Sequence, residues 1–173
     1  METVAIFHSP FPAKFGIPRQ SGMVPDLAGE VVFEPTFRNP DFIRGIEGFS
    51  HLWLLWGFSA NEKQGTPPLR GGTGGRVSPL VRPPVLGGNE KMGVFATRSP
   101  FRPNPIGLSS VRLDRVEWDT PRGPVLHVLG ADLMDGTPIY DIKPYLPHTD
   151  SHPEATAGFA AAHVRDRLEV EFP

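Results

Sequence analysis

Glycine and proline interrupt this chain too often for long regular elements to form. They supply 19 and 21 of its 173 residues. Glycine weakens helix interiors, and proline removes a backbone donor while clashing with the preceding turn. Short strands joined by tight turns are therefore favoured over long helices. Apolar residues still reach 39%, enough to build a core, so the chain is turn-rich and not disordered. At this length a single domain, residues 1–173, is the default.

Short apolar runs bounded by Gly and Pro predict strands near Val4–Phe7, Gly29–Phe33, His51–Phe58, Met92–Thr97, Ser110–Trp118, Val125–Gly130, Ile139–Ile142 and Leu168–Phe172. In the fifth, the apolar phase is odd at Val111 and Leu113 but even at Val116 and Trp118. Such a switch implies a β-bulge. Asn39 as N-cap, Pro40 in the first turn, Asp41, and the apolar Phe42, Ile43 and Ile46 predict a short helix, limited by Gly45 and Gly48. The fold class that follows is mainly β: a closed or nearly closed β-barrel of about seven or eight short strands with one or two short helices, since closure removes exposed edges.

No Gly-x-Gly-x-x-Gly follows a strand and opens a long helix, so neither a dinucleotide crevice nor the usual methyltransferase crevice is predicted. The cluster Gly71-Gly72-Thr73-Gly74-Gly75 lacks a closing Lys-Ser/Thr. It reads as part of a flexible loop over residues 61–84. The chain has no cysteine, which removes disulfides, thiolate nucleophiles and cysteine-bound zinc and fits a reducing compartment. Met1 to Pro12 lacks a basic segment followed by an apolar one, so no signal peptide is expected. The longest nearly uncharged apolar run, Phe49–Phe58, is about half of the roughly 20 residues a membrane helix needs. A cytoplasmic location without membrane contact follows as an expectation.

The formal charge is −2, yet it is unevenly spread. Between Arg70 and Arg115 eight basic residues face two acidic ones, a local +6, and the remainder carries −8. Such a segment can form a phosphate-binding patch or a solvated charged surface. Within it, Gly93-Val94-Phe95-Ala96-Thr97-Arg98-Ser99-Pro100-Phe101-Arg102-Pro103-Asn104-Pro105-Ile106-Gly107-Leu108-Ser109 carries the most information. Its prolines restrain themselves and the residues before them, holding Ser99, Arg102 and Asn104 in a stiff loop. The two arginines suit bidentate binding of a carboxylate or phosphate, or alternatively cap nearby carbonyls.

This segment, preceded by Gly87-Gly88-Asn89-Glu90, resembles the signature of the TsaA-like, or TrmO, family. Further similar stretches are Lys14 to Gln20, Gly45 to Trp53 and Asp132 to Pro147. The resemblance covers roughly residues 5 to 150, four blocks in order, and is far more specific than a lone glycine motif. It implies a barrel-shaped, S-adenosylmethionine-dependent methyltransferase, usually a homodimer. Such an enzyme methylates the exocyclic nitrogen of threonylcarbamoyladenosine beside the tRNA anticodon.

Carried over by position, the resemblance implies cofactor contacts at Pro18, Arg19, Gln20, Phe58, Ser59, Arg98, Ser110, Asp135, Gly136, Thr137 and Pro138. Arg98 would face the methionine carboxylate, Phe58 the adenine, and the Asp135–Pro138 turn the adenine or ribose. Many relatives carry histidine where Ser59 stands. The loop from Asn61 is longer than usual in the family, and no C-terminal extension domain is expected after the last short strand.

The acceptor nitrogen is urea-like and a poor nucleophile, so proton acceptance would assist transfer even though positioning does most of the work. Asp135, Asp141 and Tyr145 are the candidate catalytic residues, with His51 a further possibility more simply read as a hydrogen-bonded core histidine. Arg102, Asn104, Lys143 and Lys91 are candidates for holding the tRNA anticodon loop. No DNA partner is implied. His148 and His152 flank Asp150 without a helical frame, so no metal site is assigned. Trp53 and Trp56, three apart on one predicted strand, should point to opposite faces and serve packing more than base stacking. Two alternatives stay open beside the tRNA methyltransferase: an enzyme using the same cofactor on another acceptor, and a non-catalytic RNA-binding barrel.

Overall fold

The computed structural model describes residues 1–59 and 78–163. Six strands close into an antiparallel barrel: β1 (Ala5–His8), β2 (Ala28–Phe33), β3 (His51–Gly57), β6 (Ile106–Glu117), β7 (Val125–Leu129) and β8 (Thr137–Pro144). Around the barrel they run β1-β2-β7-β6-β3-β8. Two further strands, β4 (Leu80–Val81) and β5 (Met92–Gly93), pair with each other outside it. The closed barrel expected is present, but among the described residues its wall has six strands where seven or eight were expected, and β4 was not among the strands expected.

Period-two burial explains the closure. In β3 Leu52, Leu54 and Trp56 point inward, and in β6 Gly107, Ser109 and Val111 do so. Phe7, Leu52, Leu54, Leu126, Leu133 and Ile139 are fully buried, each contributing about 1.5–3 kcal/mol of apolar burial. The register of β6 against β7 shifts between Leu113 and Arg115, at the phase change in the apolar pattern. A second shift lies between Leu55 and Trp56, where β3 pairs with β8.

Trp53 and Trp56 do face opposite sides. Trp56 lies in the core, while Trp53 sits on the outer wall beneath Tyr145, ring centroids 5.5 Å apart, and donates its Nε1 hydrogen to Asp150 Oδ2 at 2.8 Å. Asp150 belongs to a four-residue helix, α1 (Pro147–Asp150). His51 shares the outer face with Trp53. It is half-buried and bonded to Ser50 Oγ at 3.0 Å, so it is not the core histidine expected.

Three other expectations change. The strand expected over Met92–Thr97 ends after Gly93 and becomes a 3-10 turn, Val94–Ala96. Met92 and Gly93 pair with Val81 and Leu80, and the Val94 N–H donates to the Pro79 carbonyl one step further in the same register; the chain then turns, and the Val94 carbonyl accepts from the Thr97 N–H and Oγ1. The expected helix after Asn39 is a 3-10 turn, Pro40–Ile43, followed by another, Ile46–Gly48; Asn39 caps the first by accepting from the Asp41 amide at 3.0 Å. Gly45, at φ +88°, separates them, because few residues with a Cβ adopt that conformation. The strand expected at Leu168–Phe172 and most of the loop from residue 61 lie outside the described residues. No helix among the described residues is long and apolar enough to cross a membrane.

Candidate functional site

Antiparallel order brings six strand ends to each mouth of the barrel. One rim is made by the ends of β1, β7 and β3 and the starts of β2, β6 and β8. Residues far apart in sequence meet there through a chain of polar contacts. Trp56 Nε1 donates to Ser109 Oγ at 2.9 Å, and the Ser109 hydroxyl donates to Asp132 Oδ1 at 2.5 Å. The Ser21 backbone also faces the Asp132 carboxylate, and Arg98 lies close enough to act on its charge. Arg98 donates to Gln20 Oε1, and Gln20 Nε2 donates to the Arg19 carbonyl at 2.6 Å.

Burial pushes the Asp132 carboxyl above the ordinary carboxylate range, against the opposing pull of the Ser109 hydroxyl, nearby backbone groups and the Arg98 charge. Desolvation disfavours the ionised form, and neighbouring donors and cations favour it. Phe58 continues the rim. Its ring meets Trp56 edge-on with centroids 4.4 Å apart, and its N–H donates to Pro105 at 3.0 Å, joining it to the proline-rich loop.

The turn after Asp132 is held from the opposite side. Asp135 accepts from the Ser9 amide at 3.2 Å and contacts His8 Nδ1 at 3.0 Å, while its own N–H donates to Phe11 at 2.9 Å. Gly136, at φ +76°, donates to Phe7 at 2.8 Å, and Thr137 Oγ1 donates to Met134 at 2.7 Å. Asp135 is thus exposed and fixed, with a carboxylate that a ligand could share.

The predicted residues divide by position. Gln20, Phe58, Arg98, Asp135, Gly136 and Thr137 gather at this rim; Pro138 follows on β8, and Arg19 is exposed beside Gln20. Pro18 and Ser59 are half-buried in the adjoining segments. Ser110 points outward opposite Trp53, and it is its neighbour Ser109 whose side chain enters the network.

Arg102 Nη1 donates to the carbonyls of Thr97 at 2.9 Å and Ser99 at 3.3 Å, the capping arrangement. Asn104 and Lys91 are exposed. Asp141, Lys143 and Tyr145 run along β8 and past its far end. Lys143 pairs with Asp141 at 3.2 Å, and at about 3.3 Å per residue Tyr145 stands roughly 25 Å along the strand from Thr137. Within one chain, Asp135 therefore does not meet Asp141 or Tyr145. Two members of the basic segment are engaged by carboxylates: Arg112 approaches Asp26 at 3.8 Å and Arg115 pairs with Asp114 at 3.0 Å on the outer wall.

Sequence reasoning missed Asp132, Ser109 and Trp56 as a unit. A signal existed in the run Val128-Leu129-Gly130-Ala131-Asp132-Leu133, where one carboxylate stands between buried apolar neighbours. Such a group needs hydrogen-bond partners or a raised pKa.

Fold and site together define a closed six-strand barrel with its ionisable and aromatic groups interlinked at one rim. The chain belongs to the family described as the tRNA-methyltransferase O N-terminal domain, whose model matches residues 6–151. It is 44% identical over 172 residues to the tRNA (adenine(37)-N6)-methyltransferase of Escherichia coli, covering 99% of this chain and 68% of that protein. A Pseudomonas aeruginosa protein named as a candidate S-adenosylmethionine-dependent methyltransferase, RcsF, is 42% identical over 152 residues, which are 88% of this chain and 57% of that one. A crystal structure of TrmO from Pseudomonas aeruginosa superposes with a TM-score of 0.67 at 35% identity over 92% of this chain and 61% of that chain.

Proposed function

We propose that the rim binds S-adenosylmethionine and that the protein methylates the exocyclic nitrogen of threonylcarbamoyladenosine beside the tRNA anticodon. One observation carries this: Gln20, Phe58, Arg98 and the Asp135–Thr137 turn come from separate parts of the chain and share one barrel mouth. The names of the family and of the Escherichia coli and Pseudomonas relatives support the reaction and the cofactor.

The donor set suits this cofactor. Arg98 supplies a guanidinium for a carboxylate, Phe58 an aromatic edge for adenine, and the Asp135 carboxylate with the Gly136–Pro138 backbone can receive a ribose or base. When bound, the cofactor supplies a methyl group on a cationic sulfonium. The protein's part is to fix that group in line with the acceptor nitrogen. Alignment of bound reactants can lower a barrier by roughly 7–11 kcal/mol.

Asp135 is the strongest of the candidate proton acceptors because it lies on the same rim as Arg98 and Phe58. Asp141 and Tyr145 of the same protomer lie on the outer wall and could act only on a substrate reaching across from a second copy. A homodimer in the cytoplasm, with Arg102, Asn104, Lys91 and Lys143 toward the tRNA, completes the proposal.

Mass spectrometry of tRNA nucleosides from a strain lacking the gene tests the assignment. Loss of methylated threonylcarbamoyladenosine, restored by the intact gene, is the expected result. An unchanged nucleoside profile together with measured S-adenosylmethionine binding would instead point to another acceptor.

A further inference from the structure

Asp132 takes no part in any contact implied for the cofactor, yet it joins the core to the rim. Its Oδ1 accepts the Ser109 hydroxyl at 2.5 Å, and Ser109 is itself fixed by the Trp56 indole at 2.9 Å. Both partners sit on adjacent strands and are buried. The Gly22 N–H donates to the Gly130 carbonyl at 2.8 Å, and the Ser21 backbone before it lies near enough to the Asp132 carboxyl to lower its pKa. The Gln20–Gly22 segment therefore lies across the Gly130–Asp132 segment. Gln20, one residue before Ser21, holds Arg98 through its Oε1.

We propose that Asp132 is a positioning residue: anchored by Trp56 and Ser109, it holds the Gln20–Gly22 segment so that Gln20 presents Arg98 to the carboxylate of the bound cofactor. This rests on the assignment of S-adenosylmethionine to the rim. The chain of contacts runs from a buried indole to an exposed guanidinium, so the barrel interior sets the orientation of a side chain that would otherwise be free. Arg98 loses less freedom on binding when Gln20 already restrains it. The raised pKa of Asp132 is consistent with a carboxylate kept half-buried for this purpose.

A carboxylate-specific role has a signature that general damage lacks. Calorimetry compares S-adenosylmethionine with decarboxylated S-adenosylmethionine, which has the same sulfonium, ribose and adenine but nothing for Arg98 to bind. Asp132→Asn is expected to weaken binding of the first by about tenfold, and binding of the second by less than about threefold. Ser109→Ala keeps the carboxylate and removes its hydroxyl donor, and it should show the same selectivity if Asp132→Asn fails to fold.

Equal losses for both ligands, or no loss for either, would overturn the proposal. A wild-type chain that binds neither ligand would remove the cofactor assignment, and the proposal with it. Binding by the wild type without selectivity in the variants defeats the proposal alone.

Discussion

The indole of Trp56 occupies the space in which a side chain on Gly107 would stand: a Cβ there would lie 2.2 Å from Cε2 and 2.4 Å from Cζ2. The two residues are paired across β3 and β6, and the ring cannot retreat because its Nε1 is held by Ser109. Gly107→Ala should therefore destabilise the fold by about 1–3 kcal/mol, the usual cost of overpacking a core. Denaturant unfolding measures this, and an unchanged midpoint would show that the barrel mouth can widen around Trp56.

Much of the barrel was legible because its strands alternate. Val111, Leu113 and Val116 in β6 predicted both the inward face and the register shift between Leu113 and Arg115. The stretch from Met92 to Thr97 misled because Met92, Val94, Phe95 and Ala96 are apolar as in a strand, whereas Phe95 is 78% exposed and the backbone turns after Gly93. The turn is closed by the Thr97 N–H and hydroxyl on the Val94 carbonyl, and the alternation of apolar residues does not record it. At the site, the motif residues were visible in the sequence. Their linkage through Ser109 and Asp132 depends on strand pairing, which no local pattern in the sequence records.

Arg98 and Arg102 stand four residues apart on one stiff loop, but their guanidiniums are engaged differently. Arg98 is exposed and donates to the Gln20 side chain, whereas Arg102 holds two carbonyls of its own loop. Arg98→Ala should weaken S-adenosylmethionine binding by about 1.5–3 kcal/mol, the range for a hydrogen bond to a charged group. Arg102→Ala should loosen the loop that carries Arg98 and so produce a smaller loss in the same measurement. It should also reduce tRNA affinity, lowering the salt slope by about one unit if a remaining N–H reaches a phosphate. Calorimetry with the cofactor and filter binding at several salt concentrations separate the two effects.

Asp150 supplies a pH dependence of known sign. The Leu146 amide and then the Trp53 indole hold its carboxyl below the ordinary value of 3.8. A depressed native pKa stabilises the fold above the ordinary carboxylate value, and that contribution is lost as pH falls through the native one. Trp53 fluorescence should change over this acid range, and Asp150→Asn should remove the transition. Asp132 acts in the opposite sense: burial raises its pKa, so its contribution is fully present below 3.8 and fades as pH rises through the native value. Asp132→Asn should flatten that second slope in thermal melts taken between acid and neutral pH.

The three candidate proton acceptors give different outcomes because the barrel separates them. Asp135 lies at the rim, its carboxylate shared between His8 and the Ser9 amide, with both side chains of the His8–Asp135 pair 44% exposed. A polar contact this exposed contributes about 0–1 kcal/mol to stability, so Asp135→Asn should fold normally. If Asp135 accepts the proton, the variant should lose roughly a hundredfold or more in methyl transfer, while cofactor affinity falls far less. Tyr145 instead packs on Trp53 at the other end of β8. Tyr145→Phe keeps that packing and should leave cofactor affinity unchanged. Full activity removes the Tyr145 hydroxyl from the reaction, whereas a strong loss requires a second copy to bring its β8 end to the first copy's rim. Mixing Asp135→Asn chains with Tyr145→Phe chains decides between these cases, since a shared site assembled from two copies would regain activity only in the mixed dimer.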